Sequence, residues 1–261
     1  MRKSKVLAKL RSGQFARMAA TGHFLPFFIR YAAHFGYDGI WLDLEHRTMN
    51  DREVQSIIAA CYYNDIDCMV RPQTIGRSHL YHYLEDGAAG FMAPFVSTPA
   101  IARQVVEAVK YPPLGNRGVD GAGLDADYGM EAWKPNTSYF DDANRETFLV
   151  AQIETPEAVE NVEAIAAVPG VDCIFIGPGD LGLRLRTSGG SMTVPDVVER
   201  VAAAARHNGV AWGLTAGSVE DLTRYRKLGA QIVPWGGDFA LINVLRRSSE
   251  ELDEILAGET R

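Results

Sequence analysis

The chain has 261 residues, 47% hydrophobic and 23% charged, with a net charge of −7 at neutral pH. This is a soluble globular mix, long enough to bury a large core without covalent staples. The acidic balance argues against a nucleic-acid surface, and no apolar stretch reaches membrane-spanning length. The three cysteines, Cys61, Cys68 and Cys173, fit no metal-ligand spacing and are odd in number for a disulfide framework. The basic start Met1-Arg2-Lys3-Ser4-Lys5 lacks the apolar core of a signal peptide, so the expected location is the cytoplasm.

Short apolar runs alternate with amphipathic stretches along the chain. Phe15–Ala20 reads as a first strand, with His23 near its end. Gly39–Leu44 reads as the second and runs into Asp43-Leu44-Glu45-His46. Behind the cap Asn50, Asp51–Tyr62 reads as a helix. Cys68–Arg71 is the third strand, ending in Arg71-Pro72. Gly90–Pro94 is the fourth, and Thr98 starts a helix over Pro99–Val109.

Tyr111–Arg145 breaks this rhythm. It is rich in Gly, Pro, Asn and Asp and has no clear period. Long segments of this kind in compact domains are usually functional. Because it follows the fourth strand, it is expected over the face where barrel sites form. Phe148–Glu154 reads as the fifth strand, followed by a helix over Pro156–Val168 capped by Thr155. Cys173–Ile176 is the sixth and enters Gly177-Pro178-Gly179-Asp180. After a helix over Val194–Asn208 comes a seventh strand, Ala211–Leu214. A helix over Ser218–Leu228 precedes the eighth, Gln231–Trp235, which runs into Gly236-Gly237-Asp238 and a last helix over Phe239–Leu256.

Eight strand–helix units in about 250 residues predict one (β/α)8 barrel spanning residues 1–261, with a parallel sheet and right-handed crossovers. Sites in this fold form where strands run out into the following loops. Glu154 and Asp180, one strand apart, then read as ligands of Mg²⁺ or Mn²⁺, which favour oxygen and keep waters for exchange. The competing reading is a pair of solvated loop acids. His46, beside Asp43 and Glu45, reads as a proton-transfer group or as a capping histidine. Arg71 reads as a bidentate carboxylate clamp or as an ion-pair partner of Asp43 or Glu45. His23 is a weaker proton-transfer candidate, whereas His34, His79, His82 and His207 fall in helical patterns. None of the six lysines ends an assigned strand, which disfavours a Schiff base and favours a metal as electrophile.

At these residues the sequence resembles the HpcH/HpaI family of metal-dependent class II pyruvate aldolases. The similarity runs from about Gly36 to Asp238. It is carried by Gly36-Tyr-Asp-Gly-Ile-Trp-Leu-Asp-Leu-Glu-His46, Val70-Arg-Pro72, Gly87-Ala-Ala-Gly-Phe-Met-Ala-Pro94, Tyr111-Pro-Pro-Leu-Gly-Asn-Arg-Gly118, Gln152-Ile-Glu154 and Ile176-Gly-Pro-Gly-Asp-Leu181. The resemblance implies a barrel of the phosphoenolpyruvate/pyruvate-binding type. It implies that Glu154 and Asp180 bind a divalent metal (Mg²⁺, Mn²⁺ or Co²⁺) with a 2-oxo acid. His46, paired with Asp43, would move protons, and Arg71 would hold the oxo acid and its enolate. Gln152 and Gly179 would line the same subsite, with Glu45 supporting it. Glu85 matches an acidic position whose partner lies across a subunit contact. A hexamer built as a trimer of dimers is implied, with the C-terminal helix exchanged or packed between subunits.

The implied reaction joins or separates a 2-oxo acid and an aldehyde. The alternatives are an oxaloacetate decarboxylase using the same enolate, a lyase of CoA thioesters, and a silent barrel that only binds an acid. The sequence departs from the family at Arg17-Met-Ala-Ala-Thr-Gly-His23, at Leu181-Gly182 with Arg184 and Arg186, and in the segment holding Asp120, Asp125, Asp127 and Tyr128. All three departures are expected where the aldehyde binds.

Overall fold

Seven parallel strands form one sheet in sequence order in the computed structural model, which describes residues 1–259. They are β1 (Met18–Thr21), β2 (Gly39–Asp43), β3 (Asp67–Arg71), β4 (Gly90–Ala93), β5 (Phe148–Ile153), β6 (Cys173–Ile176) and β7 (Ala211–Leu214). Each of the seven expected strands lies within about three residues of its place. The eighth, Gln231–Trp235, is not a continuous strand. Ile232 instead bridges Gly213 of β7 on one side and Ala16 on the other, and Gly237 bridges Ala20 of β1. The sheet is therefore curled, with residues 231–237 lying between its two outer strands. Pro234 lacks the N–H that a regular ladder would use.

The helices of the described residues are α1 (Lys5–Arg11), α2 (Pro26–His34), α3 (Asp51–Tyr63), α4 (Arg77–Glu85), α5 (Pro99–Val109), α6 (Tyr139–Glu146), α7 (Pro156–Glu160), α8 (Val162–Ala166), α9 (Pro178–Thr187), α10 (Val194–Asn208), α11 (Val219–Lys227) and α12 (Leu241–Glu259). Their starts follow local chemistry. Asn50 and Glu53 form a reciprocal capping box on α3, and the hydroxyls of Thr98, Thr155 and Ser218 accept from the amides three residues on. The helix expected over Pro156–Val168 is broken in two at Asn161, whose side-chain amide donates to Ser97 O at 2.9 Å.

Strand side chains alternate between two cores. Ile40 and Leu42 of β2 and Ile174 and Ile176 of β6 face the helices, whereas Trp41, Cys173 and Phe175 point inward beside Met18, Met69, Met92, Phe148 and Ile232. Val6, Leu7 and Leu10 of α1 join the inner cluster and close the end where the strands begin. Buried Asp67 ties α1 down by accepting from Ser4 Oγ at 2.7 Å and Val6 N at 2.8 Å. The interior is thus filled, and chemistry is confined to the other end, where the strands run out.

The segment Tyr111–Arg145 corrects an expectation. It lies at the end where strands begin, not over the mouth. Lys110 Nζ donates to Asn144 O at 2.7 Å and to Thr147 O, just before β5. Tyr128 meets Tyr63 at the end of α3, and a Cβ on Gly123 would collide with the backbone of Glu85 at the end of α4. The reason is topological. The segment follows α5, which carries the chain back to the starting end before β5. It also holds a short 3-10 turn, Leu124–Ala126, and α6, neither of which was expected. Asp120, Asp125, Asp127 and Tyr128 therefore lie away from the end of the sheet where the strands run out.

Candidate active site

Parallel register sets the first pair. Asp43 ends β2 directly opposite Arg71, which ends β3. Arg71 Nε donates to Asp43 Oδ1 at 3.0 Å and Nη2 lies 2.8 Å from Oδ2, a two-point fork on one carboxylate. Arg71 Nη1 is 3.2 Å from Glu45 Oε2, and the guanidinium stacks 4.8 Å above the Trp41 ring. A buried side chain with three charged and aromatic partners is held in one pose.

Glu154 follows β5 and is buried. Gln152 Nε2 donates to its Oε1 at 2.8 Å, and Phe95 N donates to its Oε2 at 3.1 Å. Phe95 adopts the left-handed region, φ 51°, uncommon for a bulky residue. Its strain is stored where its amide meets the carboxylate. On the other side, any Cβ on Gly177 would collide with Glu154 Oε1, so glycine alone lets the chain after β6 pass. Burial pushes the Glu154 carboxyl up to about 7, with Glu45 and Asp180 adding to the shift and the Phe95 amide and Arg71 opposing it. Burial likewise raises Glu45, against Arg71 and His46 and with Asp43 and Asp180.

Asp180 sits in the first turn of α9, 3.7 Å from Arg184 Nη2, and Arg184 lies 5.3 Å over the Phe95 ring. Gly179 beside it has nothing within 4 Å of an added Cβ, so the start of α9 is open there. Among the described residues no three His, Cys, Asp or Glu side chains converge as a metal centre. The donor set is instead two carboxylates with further oxygens beside them. Gln152 Oε1 is buried without a hydrogen-bond partner, as is Glu45 Oε2 apart from its ion pair with Arg71. An oxygen-only set with surplus negative charge fits a hard divalent cation that keeps waters.

One expected placement differs. His46 does not pair its ring with Asp43, whose two oxygens are taken by Arg71. Its Nε2 is 3.7 Å from Glu45 Oε2, and only its backbone N–H reaches Asp43, at 3.4 Å. Glu85 ends α4 at the end where strands begin, away from Arg71, Glu154 and Asp180 of its own chain, as a residue expected to meet a partner across a subunit contact can be. Lys110, whose pKa burial lowers to about 8, is at that far end too. The sequence reading missed Phe95 and the close approach of Gly177, because neither residue type advertises a backbone contact.

Carboxylates, one clamped guanidinium and a half-exposed imidazole at the strand ends of a parallel α/β sheet define an enzyme for a small, oxygen-rich anion. The comparisons make this specific. The HpcH/HpaI aldolase/citrate lyase family model matches residues 22–243. A hydroxypyruvate/pyruvate aldolase of Deinococcus radiodurans is 35% identical over 224 residues, covering 83% of this chain and 78% of that protein. A 2-keto-3-deoxy-L-rhamnonate aldolase of Klebsiella pneumoniae is 33% identical over 215 residues, covering 82% and 76%. The crystal structure of an HpcH/HpaI aldolase from Desulfitobacterium hafniense superposes with a TM-score of 0.83 at 30% identity, covering 95% of each chain. The chain belongs to the HpcH/HpaI aldolase/citrate lyase family.

Proposed function

We propose that the protein is an aldolase that cleaves 4-hydroxy-2-oxo acids to pyruvate and an aldehyde, and runs the reverse addition, through the enolate of pyruvate. The observation that carries this reading is the surplus of carboxylate over cation at the mouth. Asp43 and Glu45 pair with Arg71, while Glu154 and Asp180 stand near Glu45, and Glu154 is pushed up to about 7 chiefly by burial, with Glu45 and Asp180 adding to the shift. Glu154 and Asp180 would hold Mg²⁺, Mn²⁺ or Co²⁺. When bound, such an ion supplies a Lewis acid beside the oxo-acid oxygens. Arg71 anchors the oxo acid and stabilises the charge that develops as the C3–C4 bond opens. Gln152 orients ligand oxygens beside Glu154, and the open backbone at Gly179 takes an anion at the start of α9. His46 carries the proton to C3.

The test is exchange of the pyruvate C3 protons into D₂O, followed by NMR. Exchange is expected with a divalent metal, and His46→Ala should slow it by about 10² to 10⁴ at saturating pyruvate. Undiminished exchange after exhaustive chelation would sink the metal assignment.

The same proposal includes an eight-fold barrel completed by residues 231–237 and a homo-oligomer, a trimer of dimers, with α12 exchanged between subunits. Phe239, Leu241, Ile242, Leu245, Leu252 and Ile255 are all exposed in the single chain. Helix α11 buries no residue, and α2 exposes Phe27 and Tyr31. These two helices flank the place that a helix after residues 231–237 would cover, so α12 of a second copy fits there. Light scattering should give an oligomer at micromolar protein, and a monomer mass would refute this. The three free, buried cysteines fit the reducing cytoplasm. Among the described residues no helix is long and apolar enough to cross a membrane.

A further inference from the structure

A second charged group stands at the mouth, on the ends of β1 and of residues 231–237. Buried Asp238 accepts on Oδ2 from Gly22 N at 2.8 Å, His23 N at 3.1 Å and Thr21 Oγ1 at 3.2 Å, and on Oδ1 from Phe239 N at 2.9 Å. Burial would raise its carboxyl, but these donors and His23 outweigh it and hold Asp238 below its ordinary value. Four donors already satisfy this carboxylate. The His23 ring is nevertheless brought to it, with Nδ1 at 2.6 Å from Oδ2. An ionised carboxylate only accepts, so Nδ1 carries a proton, and in the neutral ring this tautomer leaves the lone pair on Nε2. No hydrogen bond to Nε2 is formed among the described residues, and the side chain is 56% exposed.

This pair adjoins the site already described. Thr21 of β1 lies opposite Leu42 of β2, so the loops bearing His23 and His46 leave neighbouring strand ends. The His23 ring meets the Phe239 ring edge-on at 5.6 Å, and Arg47 stacks on that ring at 4.8 Å. Arg47 Nη1 in turn donates to His46 O at 2.6 Å. Cleavage of a 4-hydroxy-2-oxo acid needs two proton transfers at two atoms, one from the C4 hydroxyl and one to C3.

We propose that His23, oriented by Asp238, is the acid–base group for the aldehyde oxygen, a reading that rests on the aldolase assignment. In cleavage Nε2 takes the C4 hydroxyl proton. The O–H electron pair becomes the carbonyl π bond, and the C3–C4 pair passes to C3 as the enolate. The imidazolium then returns its proton to solvent, while C3 is protonated separately. In addition, the imidazolium donates to the alkoxide formed when the enolate attacks the aldehyde. A buried aspartate fixing the tautomer of a half-exposed histidine is the arrangement that makes an imidazole a directed base.

The test compares two reactions of one protein. Acetaldehyde, glycolaldehyde and glyoxylate are each offered with pyruvate and metal, and the aldehyde that the wild type adds fastest is kept. His23→Gln and His23→Phe should each lower kcat for addition, and for cleavage of the product, by about a hundredfold. Their pyruvate C3 exchange, which involves no aldehyde oxygen, should stay within about threefold of wild type. Addition at the wild-type rate would overturn the role of His23. So would a parallel fall of addition and exchange, which marks a general effect on the site. A wild type that exchanges no C3 protons and adds none of the three aldehydes would instead overturn the aldolase reading itself.

Discussion

Two buried arginines at opposite ends of the sheet show how charge is used for different ends. At the starting end Arg117 faces Asp125 at 2.8 Å and stacks 4.7 Å over Tyr111, while Tyr139 Oη donates to Asp125. Burial works against the Arg117 charge, and Asp125, Tyr111 and Tyr139 outweigh it. One cation is hydrogen-bonded to one anion, with aromatic rings against the pair, while Arg117 Nε and Nη1 and Asp125 Oδ1 are buried with no hydrogen-bond partner among the described residues. At the mouth Arg71 faces Asp43 and Glu45, while burial and, to a lesser extent, the nearby charge of Asp180 raise the Glu45 and Glu154 carboxyls. There one cation meets several anions, and the balance is left open. A matched pair supports the fold, whereas a surplus of one sign prepares a place for something else.

The comparison breaks most severely if Arg117 is replaced. Arg117→Met should cost about 3–5 kcal/mol in denaturant unfolding, because Asp125 is left buried and uncompensated. Pyruvate C3 exchange per folded molecule should not fall, and a loss of exchange without a loss of stability would invert the two roles. Glu154→Gln should do the opposite. It should lower aldol turnover about a thousandfold, the equivalent of several kcal/mol of lost electrostatic stabilisation, with a native circular-dichroism spectrum. Arg71→Lys should lower turnover about ten- to a hundredfold and weaken pyruvate binding, since an ammonium keeps the charge but loses the fork to Asp43.

The smallest effect concerns pH. The Glu154 carboxyl stands at about 7 in the fold against an ordinary 4.5, so its contribution to stability is fully present below about pH 4.5 and is lost as pH rises through about 7. In chelator, the melting temperature of the wild type should therefore fall by a few degrees between about pH 5 and 8, relative to Glu154→Gln. Added Mg²⁺ or Mn²⁺ should restore it in the wild type only. Equal melting curves for the two proteins would mean that the fold does not raise the Glu154 carboxyl.

Seven strands and most helix starts were legible because they rest on local signals: apolar runs, and hydroxyl or amide caps at Asn50, Thr98, Thr155 and Ser218. Arg71, Glu154 and Asp180 were legible as strand-end residues, and the structure places each at the mouth. Other features depended on what the chain meets in space. The position of Tyr111–Arg145 was misread because α5 had already returned the chain to the other end. The ring partner of His46 was misread because Arg71 competes for both oxygens of Asp43. The break at Asn161 and the bridged residues 231–237 follow from neighbours that no local pattern displays.

The two supports of Glu154 carry a lesson about tolerance to change. Phe95 contributes an amide and Gly177 contributes emptiness, so the carboxylate is aimed by main chain as well as by the Gln152 side chain. Position 95 can then drift among residues that accept a positive φ, with Asn and Gly relieving the strain that Phe tolerates. Position 177 has no such freedom, because even one methyl group displaces the oxygen it faces. A saturation library over both positions should return active clones with varied residues at 95 and glycine alone at 177. Such a sheet keeps one carboxylate fixed through its backbone while a neighbouring position stays open to change.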